Sequence, residues 1–245
     1  MHYLFSRDPV TGLIYMLLSV PAVIMSFTMK GFGQALVSKW LGDPTPKENG
    51  RLTLNPLAHI NWIGFAFMVL FGFGWTKEMP TNSRYYKNYK RDTVLYCLSG
   101  PLALIAMGFV MSFFYVLTVL LIQNPASFVE QGGYRIYTLN YISRAFHYLS
   151  LYPMLLAAFH LLPLPGLDGY KIITTFAPYR WNTFFYKVER YSMFIFIGFI
   201  LLMQLGNLGY YIFYPARALF NGFTDLWRLL FNNENLNFLL DIFRQ

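Results

Sequence analysis

Charged residues are scarce in this 245-residue sequence, of which Asp, Glu, Lys and Arg make up only 12%. A soluble domain carries about 25% charged residues, so the composition excludes an ordinary soluble domain. Hydrophobic residues make up 56% of the sequence, and its 25 phenylalanines and 19 tyrosines suit broad lipid-facing and interfacial surfaces. We therefore expect an integral membrane protein.

Other absences narrow the classes of function. The single cysteine, Cys97, lies in an apolar run and cannot form an internal disulfide. The N-terminal segment MHYLFSRDPVTG lacks a basic stretch followed by a small-residue cleavage site, so we predict no removable signal peptide. The net charge of +8 resides in loops between apolar runs, without a basic face interleaved with stacking aromatics. Nucleic-acid binding is therefore not expected.

The apolar runs predict an all-α membrane protein with about six transmembrane or membrane-embedded helices, because a spanning helix needs roughly 20 apolar residues. The runs cover residues 13–29 (followed directly by a second helical stretch), 62–75, 93–122, 141–164 and 187–214. The run 62–75 is short and is predicted to be re-entrant or tilted. We assign 1–214 to one transmembrane domain and 215–245 to an amphipathic tail, predicted to lie on the membrane surface.

Loop charge predicts the orientation of the chain. The loop 76–92 holds five basic residues, whereas the loop 123–138 holds only Arg135. The positive-inside rule places the first loop in the cytoplasm and the second outside. We expect a multi-pass protein of the inner cell membrane, in contact with lipids.

Three segments do not resemble ordinary transmembrane sequence: 41–64, 74–102 and 160–172. The first contains GDPT (42–45) and GRLTLNPLAHI (50–60), and the third contains LLPLPGLDG (161–169). Such segments are unfavourable at membrane depth unless they are buried in protein or line a cavity. An acidic residue beside apolar spans, such as Asp168, is a candidate functional residue. In this order and spacing, the segments resemble the site-2 protease family of intramembrane zinc metalloproteases, in its compact bacterial branch without PDZ or CBS domains.

The resemblance implies a specific site. In that family a helical His-Glu-x-x-His motif precedes the GDPT segment, its two histidines and the aspartate of the LDG segment bind zinc, and its glutamate is the general base. The zinc-bound water attacks a peptide bond in a transmembrane helix of the substrate. Counting back from Gly42, the motif falls here on Lys30-Gly31-Phe32-Gly33-Gln34. Asp168 is the one metal ligand that remains.

Two further positions depart from the family's pattern, because Leu104 and His160 stand where the family usually has asparagine. An ammonium group has no lone pair for zinc, and a glutamine side chain is a poor zinc ligand. We therefore predict a pseudoprotease without bound metal, which binds or regulates another membrane protein or a transmembrane helix, or serves as a subunit of a membrane complex. The former active-site cluster comprises Lys30, Gln34, Leu104, His160 and Asp168.

An ion pair between Lys30 and Asp168 is predicted to replace the structural role of the metal, because pairing offsets the unfavourable burial of a lone carboxylate. Alternatively, Lys30 extends to an aqueous edge and Asp168 is neutral or hydrated.

Two other functions stay open. One is an active, divergent metalloendopeptidase with zinc on His160, Asp168 and His59. The other is a small-molecule or ion pathway built on the old catalytic cavity.

The segment RLTLN (51–55) alternates polar and apolar residues, which predicts a short re-entrant strand. Its polar face would carry Arg51, Thr53 and Asn55. This strand is predicted either to pair with an unwound helix of a partner, as an added β-strand, or only to stabilise the fold.

Overall fold

The computed structural model of the protein describes residues 9–71, 74–123, 134–204 and 208–231. All regular structure in these ranges is helical, which confirms the predicted all-α class. The helices are α1 Pro9–Trp40, α2 Thr45–Glu48, α3 Trp62–Phe71, α4 Tyr89–Gln123, α5 Tyr134–His160, α6 Asp168–Phe176, α7 Asn182–Arg190, α8 Ser192–Gln204, α9 Leu208–Ile212 and α10 Tyr214–Leu230.

Two of the described helices, α1 and α4, are long and apolar enough to cross a membrane. The apolar helices α3 and α8 have 10 and 13 residues. Both are shorter than the roughly 20 residues that a spanning helix needs. The predicted number of six membrane helices is therefore not confirmed.

The predicted span 13–29 and the helical stretch that follows it form a single helix, α1, with Pro21 inside it. After the end of α1, Gly42 adopts a φ of +96°, a left-handed conformation that glycine tolerates best. The side chain of Asp43 then accepts a hydrogen bond from the amide of Thr45 at 3.0 Å. Because α1 is continuous, Lys30 and Gln34 lie one turn apart on the same face.

Helices α1, α4 and α5 pack on one another and form the centre of the molecule. Helix α3 packs on α1, α6 packs on α4, and α10 packs on both α4 and α5. The main apolar core lies between these helices and contains the buried residues Ala22, Val23, Phe27, Ile60, Met68, Leu104, Tyr148, Tyr152, Leu156 and Ala157.

A glycine allows α1 and α4 to approach closely. A Cβ atom at Gly33 would lie 2.7 Å from the Cβ of Ala103 and 3.2 Å from the carbonyl oxygen of Ser99. No larger residue fits without a shift of one helix, as is common where helices pack closely in membranes. This contact brings the face of α1 that carries Lys30 against α4.

The predicted last span, 187–214, is not one helix. The chain turns at Tyr191, between α7 and α8, and the amide of Tyr191 donates to the carbonyl oxygens of both Lys187 and Val188. Such a shared bond is common where a helix ends. The apolar residues of α8 therefore belong to a shorter helix than the run of hydrophobic residues indicated.

The predicted strand at 51–55 is also not confirmed, because these residues form bends and an extended loop. Apart from those of the Arg51 side chain, the hydrogen bonds of the segment are local. The amide of Asn55 donates to the Thr53 hydroxyl at 3.1 Å, and the Asn55 side chain accepts from the amide of Leu57 at 3.1 Å. Within the described residues there is no strand beside this segment with which it could form a ladder.

Part of the predicted amphipathic tail is described as α10. The indole nitrogen of Trp227 donates to the hydroxyl of Ser112 at 3.0 Å, and its ring packs on Phe109 and Phe113 of α4. This face of α10 therefore packs against protein. The rest of the predicted tail, residues 232–245, lies outside the described residues.

Candidate functional site

Four buried polar side chains meet where α1 passes the junction of α5 and α6. Lys30 and Gln34 come from α1, His160 ends α5 and Asp168 begins α6. Their exposed fractions are 3%, 2%, 3% and 9%. The Nζ of Lys30 lies 3.0 Å from Oδ2 of Asp168, and Nδ1 of His160 lies 3.3 Å from the same oxygen.

The chain between His160 and Asp168 turns sharply, which places the carboxylate opposite α1. Gly166 adopts a φ of +87°, and two prolines in this segment prevent α5 from continuing. A Cβ at Gly169 would lie 2.2 Å from the carbonyl oxygen of Leu161, so the return of the chain depends on a residue without a side chain at this position. The LLPLPGLDG segment therefore serves to present Asp168.

Lys30, Gln34 and Asp168 form a closed ring of polar contacts. The amide nitrogen of Gln34 donates to Oδ1 of Asp168 at 2.8 Å, and the Lys30 ammonium donates to Oε1 of Gln34 at 3.1 Å. Burial raises the pKa of the Asp168 carboxyl, but the nearby Lys30 ammonium and His160 lower it by more. The group is therefore a carboxylate at neutral pH and is held by a cation of the protein itself.

Residue 31 faces a histidine ring. A Cβ at Gly31 would lie 2.1 Å from Nδ1 of His59, so that ring occupies the space of a side chain at this position. The other ring nitrogen, Nε2, lies 2.8 Å from the carbonyl oxygen of Thr53. Burial lowers the pKa of His59, which favours a neutral imidazole at neutral pH.

The remaining predicted site residues lie elsewhere. Leu104 is fully buried in the main apolar core, one turn of α4 beyond Gly100. The Arg51 guanidinium donates to the carbonyl oxygens of Ala58 and Glu78. Thr53 and Asn55 belong to the local turn described above.

Two residues were not singled out from the sequence as site residues, one beside the ring and one just beyond the end of α1. Gly100 packs against the ring, since a Cβ there would lie 3.0 Å from Cγ of Lys30 and 3.1 Å from Cγ of Gln34. Asp43 is fully buried and accepts hydrogen bonds from the amide of Asn82 at 2.8 Å and the hydroxyl of Ser38 at 3.1 Å. The GDPT segment was the available signal for Asp43.

The donor set does not fit zinc. Two of the four converging groups are an ammonium and an amide, which are respectively a non-ligand and a poor ligand for this ion. Over the described ranges, no three His, Cys, Asp or Glu side chains are grouped as a metal site requires. A zinc site needs three or four such ligands.

A cavity of about 730 Å³ opens beside the ring. Lys30, Gln34, His160 and Asp168 contribute to its lining. Aromatic side chains also line it, among them Trp75, Tyr96 and Phe196. It therefore combines a polar site with walls that can contact an apolar ligand.

Comparison with known proteins identifies the family. The chain is 31% identical, over 196 residues, to a protein of Bacillus subtilis (strain 168) described as "Putative zinc metalloprotease YwhC". The match covers 80% of this chain and 84% of that protein. The chain belongs to this site-2 protease-like family. No protein-family model matches the chain, and no solved structure gives a significant match.

Membership of a site-2 protease-like family, together with two apolar helices of spanning length, indicates a membrane-associated protein. The relative is named for zinc-dependent proteolysis, whereas the site of this site-2 protease-like chain holds Lys30 and Gln34 beside Asp168.

Proposed function

We propose that this protein is a pseudoprotease: a site-2 protease-like membrane protein that binds a segment of another membrane protein without cleaving it. The observation that supports this most directly is the 3.0 Å contact between the Lys30 ammonium and Asp168. A cation of the protein takes the position beside the carboxylate at which the family resemblance implies a metal ion.

The residues of the ring explain why hydrolysis is not expected. Lys30 neutralises the charge of Asp168, and Gln34 fixes the second carboxylate oxygen. Gly31 has no side chain that could accept a proton from an attacking water, and the His59 ring fills the adjacent space. A site without a metal ligand set lacks the ion that activates water in the family's chemistry, and no carboxylate occupies the position of the family's general base.

The cavity supports a binding role. It places aromatic walls beside a polar ring, and a partner helix that loosens there would find both apolar contacts and hydrogen-bonding groups. Binding would retain the partner in the membrane or shield it. Alternatively, this protein would be a permanent subunit of a membrane complex.

A photo-crosslinking amino acid at Phe196, which lines the cavity, tests binding and cleavage together. We expect a discrete adduct with a membrane protein of full length, formed in intact cells. The matched control carries the crosslinker at Leu201, an exposed position of the same helix that does not line the cavity. Equal adducts at both positions, or an adduct with cleaved fragments, would contradict the proposal.

One observation favours the divergent metallopeptidase as a second candidate: Nδ1 of His160 lies 3.3 Å from Asp168, and the relative is named a zinc metalloprotease. In this case the crosslinked partner would be recovered as fragments, and a chelator would restore its full length. A small-molecule or ion pathway would instead give uptake or conductance in liposomes that contain the protein alone.

A further inference from the structure

A second cavity, of about 670 Å³, adjoins the one beside the ring. The two cavities share Lys77, Glu78, Met79 and Lys171 as lining residues. The other residues that line the second cavity are Asn49, Arg51, Pro80 and Thr81. We call it the basic cavity, because three cationic side chains and one carboxylate line it.

The residues that carry the cations of the basic cavity make different contacts. The Arg51 guanidinium is half-buried and donates to the carbonyl oxygens of Ala58 and Glu78. The backbone amide of Lys77 donates to the carbonyl oxygen of His59 at 2.9 Å. The Nζ of Lys171 lies 4.8 Å from the centre of the Tyr96 ring.

Two of these cations are available to a ligand. Lys77 and Lys171 are exposed, and among the described residues neither belongs to an ion pair. The one carboxylate in the cavity wall, Glu78, leaves an excess of positive charge there. Such a concentration of cations in a concave site attracts anions.

The adjoining cavity differs in character. Its own charged residues are Lys30, Asp168 and Glu189, of which Lys30 and Asp168 neutralise each other. Trp75, Leu167 and Phe196 add apolar surface to its wall. A ligand that spans both cavities therefore meets cations at one end and aromatic and aliphatic side chains at the other.

We propose that the basic cavity binds a phosphate group, and that the adjoining cavity accepts the apolar part of a molecule that carries it. Phosphate is the anion best matched to several convergent Lys and Arg donors, since it offers multiple acceptor oxygens and more than one negative charge. A phospholipid and a soluble phosphate compound share this chemistry. The inference does not depend on the loss of proteolysis, because none of the three cations belongs to the ring at Asp168.

Calorimetric titration of the full-length protein, in a neutral detergent without phosphate, tests the inference. The probes are dihexanoylphosphatidic acid, dihexanoylglycerol (the same molecule without the phosphate) and inorganic phosphate. We expect the phosphatidic acid to bind and the glycerol to bind at least about tenfold more weakly, because charge-assisted hydrogen bonds are the strong ones. Inorganic phosphate that binds as tightly as phosphatidic acid would contradict the apolar half of the proposal and identify a soluble phosphate compound as the ligand.

The double variant Lys77→Ala/Lys171→Ala should bind phosphatidic acid about tenfold more weakly or worse, since two charged donors are lost. The matched control is Lys39→Ala/Lys87→Ala, which removes two exposed lysines that line neither cavity. Its affinity for phosphatidic acid should stay within about twofold of that of the original protein, because the two lysines act on the ligand only through distant, salt-screened charge. Equal losses in both double variants, or unchanged binding by the first, would overturn the proposal. Thermal unfolding of each variant verifies that it is folded.

Discussion

At the scale of single residues, the contact between Lys30 and Asp168 is the observation on which the proposed pseudoprotease function rests. Both side chains are buried, their charges compensate each other, and Gln34 forms a hydrogen bond with each of them. A buried ion pair adds little net stability over apolar residues, but removal of one partner leaves an uncompensated charge. The ring should therefore be sensitive to single substitutions and tolerant of paired ones.

The substitution Asp168→Asn should lower the free energy of unfolding by about 3–5 kcal/mol, because it leaves the Lys30 ammonium buried without a counter-charge. Unfolding in detergent, followed by circular dichroism, measures the loss. The control is Asp225→Asn, which removes a carboxylate that is 67% exposed and 3.7 Å from Arg228. The Asp225→Asn substitution should change the free energy of unfolding little, because exposed ion pairs contribute little to stability. Equal stability of both variants would show that the buried pair is not required.

A pH dependence is expected from Asp43, which lies just beyond α1. Burial raises the pKa of its carboxyl, but hydrogen bonds from Thr45, Asn82 and Ser38 lower it by more, so the pKa lies below its ordinary value of 3.8. Because the folded-state pKa is lower than the unfolded one, this contribution to stability is complete above the unfolded pKa. It is lost as the pH falls through the folded-state pKa.

Melting temperatures of the original protein and of Asp43→Asn, measured between neutral and acid pH, isolate this contribution. The original should be more stable at neutral pH, and the two curves should converge in acid, where Asp43 is protonated. A constant difference at every pH would show that the carboxylate charge does not matter.

The residues of the ring illustrate what the sequence could and could not predict. Lys30 and Asp168 were singled out because the polar segments resemble those of a known family, and no local pattern connects positions so far apart. The third member, Gln34, was also identified by counting back from Gly42 to the family's motif. That its side chain donates to Oδ1 of Asp168 could be seen only in the structure. Leu104 shows the limit, since a position in the family's pattern does not determine whether a side chain contacts the ring or the apolar core.

At the scale of helices, the hydrophobic runs predicted where helices lie but did not reveal every break between them. Helix α4 begins and ends close to the predicted run 93–122. The turn at Tyr191 was missed because the predicted run 187–214 joined the charged end of α7, with Lys187, Glu189 and Arg190, to the apolar residues of α8. The predicted strand failed for another reason: alternation describes one face of a segment but does not supply a neighbouring strand.

The approach of α1 to α4 provides a test at this scale. The substitution Gly33→Leu should destabilise the protein by about 1–3 kcal/mol, because the added side chain meets Ala103 and the backbone of Ser99. The matched control is Gly222→Leu in α10, where a Cβ meets nothing within 4 Å. Chemical unfolding curves compare the two. Equal effects would indicate that the helices are not closely packed at Gly33.

At the scale of the whole molecule, the orientation of the chain in the membrane rests on loop charge. The predicted cytoplasmic loop 76–92 contains Lys87, which is exposed, whereas the single native cysteine, Cys97, is fully buried. Native Cys97 should therefore contribute little background in a labelling experiment.

The variant Lys87→Cys should react with a membrane-impermeant maleimide in inside-out vesicles and not in intact cells. The converse variant, Ser127→Cys in the predicted external loop 123–138, should react in intact cells. The positive-inside rule is the physical basis of both expectations. Labelling of Lys87→Cys from outside the cell would reverse the proposed orientation.

In the proposed pseudoprotease, a cation of the protein has replaced the metal ion of a peptidase site. Zinc content per chain, measured by elemental mass spectrometry on protein purified without chelators from zinc-supplemented cells, tests it most directly. The pairing of Lys30 with Asp168 predicts far less than one zinc per chain, and no change in the His160→Ala variant. About one zinc per chain, lost in that variant, would contradict the claim, because it would require a ligand set of the kind found in zinc enzymes.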